Sequence, residues 1–141
     1  MAVVARYLVD TSAAARLTNA SVAERVVPLL SAGLVATCAS LDYEALYSAR
    51  SREEYERVRA DRRAAYDYLP TNDEHWTRAL DVQQALAAAS RNREIGMPDL
   101  LVAVLAEQHE MTLLHYDADF DTLAELLTLR AEWVAPRGTI A

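Results

Sequence analysis

Short apolar runs alternate with longer stretches of helical periodicity along this sequence, and the alternation decides its fold class. Four runs have the length and composition of buried or edge strands; they lie at residues 6–9, 34–37, 112–114 and 133–134. A helical stretch between two strands carries the chain back across the sheet, so that successive strands pair in parallel. The sequence therefore predicts an α/β fold with a central parallel sheet flanked by helices.

Capping residues and helix breakers locate the helices between these runs. Residues 21–24 (SVAE) and 71–74 (TNDE) fit capping boxes. In such a box the first side chain accepts a hydrogen bond from an N–H of the first helical turn, and the acid three residues later accepts one from the N–H of the first residue. Thr11 and Ser12 offer caps for another helix, and Gly33 and Pro70 end two of them. The predicted helices cover residues 11–17, 21–30, 41–50, 51–68, 71–90, 100–106 and 123–127.

Composition is that of one folded domain spanning residues 1–141. Apolar residues make up 52% of the chain and charged residues 25%, which excludes a disordered protein. Asp10 interrupts the first apolar run, and none of the runs approaches the roughly 18–20 residues of a membrane span. Cys38 is the single cysteine and forms no internal disulfide. We expect a cytoplasmic protein that does not associate with membranes.

The basic residues are all arginine, and this excludes several classes of enzyme. P-loop proteins, protein kinases and Schiff-base enzymes need a lysine, which the chain lacks. Three glycines are too few for the usual dinucleotide-binding loop. The formal charge of −7 argues against binding of nucleic acid or membranes through excess positive charge. That argument fails if the negative charge is concentrated in one place.

Five acidic residues fall at positions that a parallel sheet brings to one edge. Asp10 ends the first predicted strand, and Asp117 and Asp119 follow the third. Asp99 opens the most apolar helix, and Glu44 lies among apolar neighbours on another. Ligands of open parallel sheets bind beyond the carboxyl ends of the strands. We therefore expect these five carboxylates to share one site.

Carboxylates gathered in this way need a compensating charge. An ionised Glu44 among apolar residues costs several kcal/mol unless it is paired, and the arginines cluster elsewhere in the sequence. A shared cation meets the need, and carboxylate oxygens select hard ions such as Mg²⁺ or Mn²⁺. Such an ion supports hydrolysis of phosphodiester bonds. Taken singly, each acid also fits a helix cap, as Asp99 does at a helix start, and Glu44 fits a buried pair with an arginine.

Four segments, read together, resemble one family. The segments YLVDTSAAARL, LDYEALYSAR, IGMPDLLVAVLA and LLHYDADFD follow the order and spacing of PIN-domain proteins. Along nearly its full length the chain resembles the VapC-type ribonuclease toxins of bacterial toxin–antitoxin pairs. The resemblance implies a three-layer PIN-like fold with a central parallel sheet. It also implies an acidic quartet with one supporting acid: Asp10, Glu44, Asp99 and Asp117, with Asp119 as the fifth.

The resemblance also implies an activity and partners. It implies an Mg²⁺- or Mn²⁺-dependent endoribonuclease that acts on tRNA or ribosomal RNA, forms a homodimer and is covered by a small VapB-type antitoxin. Asp10, Asp99 and Asp117 would hold the ion, and Glu44 would complete the site or orient water. His115 departs from the family, which often has Thr or Ser at that position, as does Pro98, where smaller residues are commoner. The family's pattern of acidic residues does not include Asp121, which is interpreted as a helix-start or surface acid.

Several interpretations stay open at this point. The arginines of residues 50–63 fit either a solvated helix with i,i+4 ion pairs or an edge that contacts phosphates. Tyr55, Val58 and Tyr66 fit core or antitoxin contacts, Trp76 and Trp133 fit packing positions, and the three histidines are too sparse for a zinc site. An RNA-processing PIN nuclease without an antitoxin and a catalytically silent PIN-like binding module are the alternative functions. A haloacid-dehalogenase-type phosphatase is excluded, because Ser12 stands where its second aspartate is needed.

Overall fold

The computed structural model describes residues 4–141, and its centre is a parallel sheet of five strands. Their order across the sheet is β3-β2-β1-β4-β5. Leu8 in the central strand lies opposite Ala36 on one side and Leu113 on the other. The strands are β1 (Tyr7–Val9), β2 (Val35–Thr37), β3 (Asp67–Tyr68), β4 (Thr112–His115) and β5 (Arg130–Trp133).

Helices connect the strands and cover both faces of the sheet. Neighbouring residues of a strand point to opposite faces, and the strands show this directly. Leu8 and Leu113 belong to one apolar cluster, and Val9 and Leu114 belong to the other. The predicted three-layer α/β architecture is confirmed. The helices are α1 (Thr11–Ala14), α2 (Ala20–Ser31), α3 (Ala39–Tyr47), α4 (Arg52–Ala65), α5 (Asp73–Ala88), α6 (Met97–Gln108) and α7 (Asp119–Leu126).

Helix α6 is the central helix of the larger cluster. Every residue from Leu100 to Ala106 is buried, as the uniformly apolar sequence predicts. Pro98 lies in the first turn, where its missing N–H costs no helical hydrogen bond. Asp99 follows it and is therefore fixed at the start of a rigid, buried helix. Among the residues that the structure describes, no helix is long and apolar enough to cross a membrane.

The helix starts differ from the predicted ones by up to four residues. Asn19, and not the predicted box at Ser21, caps α2 by accepting from the N–H groups of Ser21 and Val22. At α5 the box is formed by Asn72 and His75, one residue beyond the predicted start. In both cases an asparagine amide oxygen reaches the free N–H groups and displaces the hydroxyl predicted to do so.

At α1 the prediction assigned the cap to Thr11 or Ser12. The cap is Asp10, whose side chain accepts from the N–H of Ser12, and the helix ends at Ala14 instead of continuing to residue 17. Asp10, a candidate ligand, is thus itself a helix cap.

Two further expectations were wrong. Strand β3 was not predicted, because a two-residue polar strand after a charged helix leaves no apolar run in the sequence. Helix α5 buries His75, Ala79, Val82 and Leu86, so that Trp76 is 39% exposed and is not a packing residue of the core. Trp133 does pack, against the rings of two residues of the β4 end: His115 and Tyr116.

Candidate functional site

The carboxyl ends of β1 and β4 place Asp10 and Asp117 at one edge of the sheet. The two strands are parallel neighbours, and the Asp10 N–H donates to Leu114 O at 2.9 Å. Asp99 enters from the first turn of α6. The closest group consists of Asp99, Asp117 and Asp119, each of which offers one carboxylate oxygen within 4.8 Å of the others. All three are partly exposed, so an ion can reach them from solvent.

Asp99 is the carboxylate whose pKa is raised furthest. Burial is the larger cause, and together with the neighbouring charges of Asp10, Asp117, Asp119 and Glu44 it raises the pKa of Asp99 to about 7. The charges of the other four predicted residues therefore act on Asp99, although Asp10 and Glu44 lie outside the closest group of three. Burial and these charges together disfavour the ionised form of Asp99.

Two other acids are shifted in the same direction. Burial, followed by the charge of Asp10, raises the pKa of Glu44, while a hydrogen bond with Thr11 lowers it. Burial raises the pKa of Asp119 as well, with Asp117 contributing next. The alternative of a Glu44–arginine pair is not found, since the ion pairs among residues 4–141 leave Glu44 out.

Asp10 is oriented by Ser12. Its Oδ2 accepts from the Ser12 N–H at 2.9 Å and from Ser12 Oγ at 2.6 Å. Ser12 Oγ in turn accepts from the N–H of Tyr116 at 2.9 Å. One hydroxyl thus connects the end of β1 to the end of β4. The residue Asp10 is only 4% exposed. With Oδ2 engaged by Ser12, Oδ1 of Asp10 is the oxygen left to serve as a ligand.

Asp117 is oriented by backbone contacts around His115. The Asp117 N–H donates to His115 Nδ1 at 3.2 Å, and Asp117 Oδ1 accepts from the Asp119 N–H at 2.9 Å. His115 is fully buried between Phe120 and Trp133. Burial lowers its pKa, which keeps the imidazole neutral and able to accept at Nδ1. The sequence marked His115 only as a departure from the family, and this supporting contact was missed.

Other predicted residues lie outside the group. Asp121 is in the first turn of α7 and accepts from Trp133 Nε1 at 3.1 Å, which agrees with its interpretation as a helix-start acid. Helix α4 buries none of its residues, and Arg52 pairs with Glu56 at the i,i+4 spacing of a solvated helix. Tyr66 is half-buried against the smaller apolar cluster, whereas Tyr55 is exposed.

An all-oxygen donor set fits Mg²⁺ or Mn²⁺ and not zinc or copper. The raised pKa of Asp99 is the observation that tests the fit, because a divalent ion would stabilise the ionised carboxylate against both burial and the neighbouring negative charges. Ser12 and the backbone N–H of Asp119 fix Asp10 and Asp117 without occupying all their oxygens. The site can therefore bind a hard cation and, through it, a phosphate oxygen.

Comparisons with known proteins agree with this geometry. The PIN domain family model matches residues 7–126. Ribonuclease VapC21 of Mycobacterium tuberculosis is 41% identical over 134 residues, which are 95% of this chain and 97% of that protein. Ribonuclease VapC51 of the same species is 43% identical over 136 residues, with 96% and 97% covered. The chain belongs to the PIN-domain family and, within it, to the VapC ribonucleases.

Solved structures share the fold at lower identity. DNA-bound VapBC from Salmonella typhimurium has a TM-score of 0.71 and 16% identity, covering 93% of this chain and 99% of that one. VapBC-1 from nontypeable Haemophilus influenzae has a TM-score of 0.69 and 19% identity, covering 91% and 97%. These similarities extend the agreement to the whole sheet and its helices.

Proposed function

We propose that this chain is a metal-dependent endoribonuclease toxin that hydrolyses phosphodiester bonds in tRNA or ribosomal RNA in the cytoplasm. The observation that carries the proposal is the convergence of Asp99, Asp117 and Asp119 within 4.8 Å, with Asp10 and Glu44 close enough for their charges to raise the pKa of Asp99. The relatives named above are ribonucleases, and their identity to this chain supports the same activity here.

Asp10, Asp99 and Asp117 are the residues that would hold Mg²⁺ or Mn²⁺, with Asp119 beside them. The bound ion would supply charge compensation for the phosphodiester and acidify water. Asp10 presents Oδ1 because Ser12 holds Oδ2. Glu44 lies beside Asp10 with a raised pKa, so that one of its carboxylate oxygens is suited to orient water and accept its proton.

The proposed partners follow from the same relatives. VapBC complexes from several bacteria share this fold, and we expect a VapB-type antitoxin to bind the chain and cover the acidic site. We also expect a homodimer. Copurification with the product of a short neighbouring reading frame would favour the toxin over an RNA-processing nuclease without an antitoxin.

The test is RNA cleavage by purified protein with Mg²⁺, with Mn²⁺ and with EDTA. Asp99→Asn should lower cleavage by at least about 100-fold, since supporting residues of metal sites alone cost 10–100-fold. Asp121→Asn is the matched control, because Asp121 opens a helix and bonds Trp133 outside the carboxylate group. Its activity should stay near that of the wild type. Full activity of Asp99→Asn, or of the wild type in EDTA, would refute the proposal. Failure of the wild-type protein to bind Mn²⁺ would favour the alternative of a catalytically silent binding module.

A further inference from the structure

A cleft opens directly beside the carboxylate group. It has a volume of about 260 Å³ and lies between the end of β1, α1, α3 and the last turns of α4. Thr11 and Glu44 form the wall that it shares with the acidic site, and Arg62 and Tyr66 form part of another wall. Val9, Leu41 and Ala45 contribute apolar surface. A phosphodiester held by the carboxylates would therefore have this cleft at its side.

Arg62 is fixed in the cleft wall by its own hydrogen bonds. Its Nε donates to Asp42 Oδ1 at 2.8 Å, and its Nη2 donates to Thr37 Oγ1 at 3.0 Å. Thr37 Oγ1 also donates to Asp42 Oδ1 at 2.7 Å, which closes the network. The Arg62 side chain is 16% exposed. The plane of the guanidinium group is thus set before any ligand arrives, and little entropy remains to be lost on binding.

The same guanidinium group combines a stacking surface with a free donor. Its central carbon lies 4.6 Å from the centre of the Tyr66 ring, so that the two groups stack. Within residues 4–141, Nη1 of Arg62 makes no hydrogen bond, while Nε and Nη2 are both engaged. Arginine planes and aromatic rings are the surfaces on which proteins stack unpaired RNA bases.

We propose that this cleft binds the nucleobase next to the phosphodiester bond that the acidic site hydrolyses, an inference that rests on the proposed function. The volume is below the roughly 300 Å³ at which pockets for larger ligands begin, and it suits one base. Arg62 offers donors only, so the favoured base edge is rich in acceptors. Guanine, with O6 and N7, is the base that arginine contacts most often in this way.

Binding of single nucleotides tests the cleft independently of RNA cleavage. The four nucleoside 5′-monophosphates are titrated into isotope-labelled protein with Mg²⁺ present, and amide shifts are followed by NMR. The expected result is tightest binding of guanosine monophosphate, with shifts at Thr11, Ala45 and Ser48, which line the cleft. Equal binding of the four nucleotides, or shifts confined to the carboxylate group, would overturn the inference.

Variants that fill the cleft sharpen the test. Ala45→Leu and Ala15→Leu enlarge side chains on different walls, and Ala15 is exposed, so that its substitution leaves the core intact. Each should weaken guanosine monophosphate binding by at least about fivefold, the loss expected when base stacking is blocked. Ala60→Leu, at an exposed position of α4 outside the cleft, is the control and should bind as the wild type does. Thermal unfolding confirms that each variant is folded.

The same variants in the RNA cleavage assay separate this inference from the proposed function. Mapping of the cut ends should show that Ala45→Leu and Ala15→Leu still cleave but lose the base preference of the wild type. If both variants cleave at the same bases as the wild type, the proposed base-binding role of the cleft is wrong and the proposed ribonuclease activity still holds. If the wild type binds guanosine monophosphate in the cleft and cuts no RNA, the proposed ribonuclease activity is wrong and the base-binding role still holds.

Discussion

At the scale of single residues, Ser12 joins the two strands that end at the candidate ligands. Its hydroxyl donates to Asp10 on β1 and accepts from the Tyr116 N–H beyond β4. Side chains that orient metal ligands hold the ligand atoms at the spacing the ion requires. We therefore propose that Ser12 positions Asp10 and is not itself a ligand.

Replacement of Ser12 by alanine should weaken Mn²⁺ binding by about 10–100-fold, as loss of supporting contacts does in other metal sites. Isothermal titration calorimetry measures the change, and Ser12→Thr should restore part of the affinity because it keeps the hydroxyl. Ser31→Ala, at the exposed end of α2, is the control. Unchanged Mn²⁺ affinity in Ser12→Ala would show that Asp10 needs no such support.

Asp99 gives the metal-free protein a characteristic pH dependence. Its folded-state pKa of about 7 lies above the ordinary aspartate value of 3.8, so the folded state binds more protons than the unfolded state between these values. The free energy of unfolding should therefore fall as pH rises from about 4 to 7. Partial exposure screens the interaction, which limits the expected difference from Asp99→Asn to about 1–2 kcal/mol.

Urea unfolding in EDTA at pH 5 and pH 8 measures this effect. Asp99→Asn should gain stability relative to the wild type at pH 8 and little at pH 5. Asp121→Asn provides the comparison for loss of an aspartate outside the carboxylate group. A stability difference between Asp99→Asn and the wild type that is the same at both pH values would contradict the repulsion at Asp99.

At the scale of elements, the sequence located three of the five strands well, whereas it placed the last strand three residues too late, missed β3 and misplaced most helix starts. Apolar runs identify β1, β2 and β4 because their burial requires such residues. Caps depend on which oxygen reaches the free N–H groups, and neighbouring Asn19 and Ser21 both carry one. β3 exists only because Asp67 and Tyr68 pair with β2, a tertiary contact without a local signal.

The cap of α5 should affect stability without affecting the acidic site. Asn72 accepts from the His75 N–H, and its own N–H donates to His75 Nδ1 at 3.0 Å. Asn72→Ala should lower the free energy of unfolding by about 1 kcal/mol and leave Mn²⁺ affinity unchanged, because α5 carries none of the candidate ligands. Gln83→Ala, at an exposed position of the same helix, should change neither quantity. A weaker Mn²⁺ affinity in Asn72→Ala would mean that α5 supports the site.

The site shows the same division between local and tertiary information. The position of Asp10, Asp99 and Asp117 at this edge of the sheet could be predicted because strand ends and a helix start fix it. The network of Arg62, Asp42 and Thr37 could not be predicted. Arg62 is 20 residues from Asp42 and 25 from Thr37 in the sequence, and it meets them only when α4 folds against α3 and β2. A charged helix in a sequence gives no indication of which arginine turns inward.

At the scale of the whole molecule, the net charge of −7 has a structural explanation. Of the 21 acidic residues, Asp99 and the four whose charges act on it lie around a single sheet edge. A divalent ion bound there stabilises the folded state by mass action, about 2.7 kcal/mol at a concentration of 100 Kd. Much of the net negative charge, which by itself would oppose RNA binding, therefore belongs to the site that we propose cleaves RNA.

Anomalous X-ray diffraction from crystals grown with Mn²⁺ tests the central claim most directly. The account predicts an anomalous peak at the carboxyl edge of β1 and β4, bound by oxygens of Asp10, Asp99 and Asp117 at about 2.0–2.2 Å. Crystals of Asp99→Asn grown in the same way should lose most of that peak. A peak at another position, or saturating Mn²⁺ with no peak among these three carboxylates, would contradict the account.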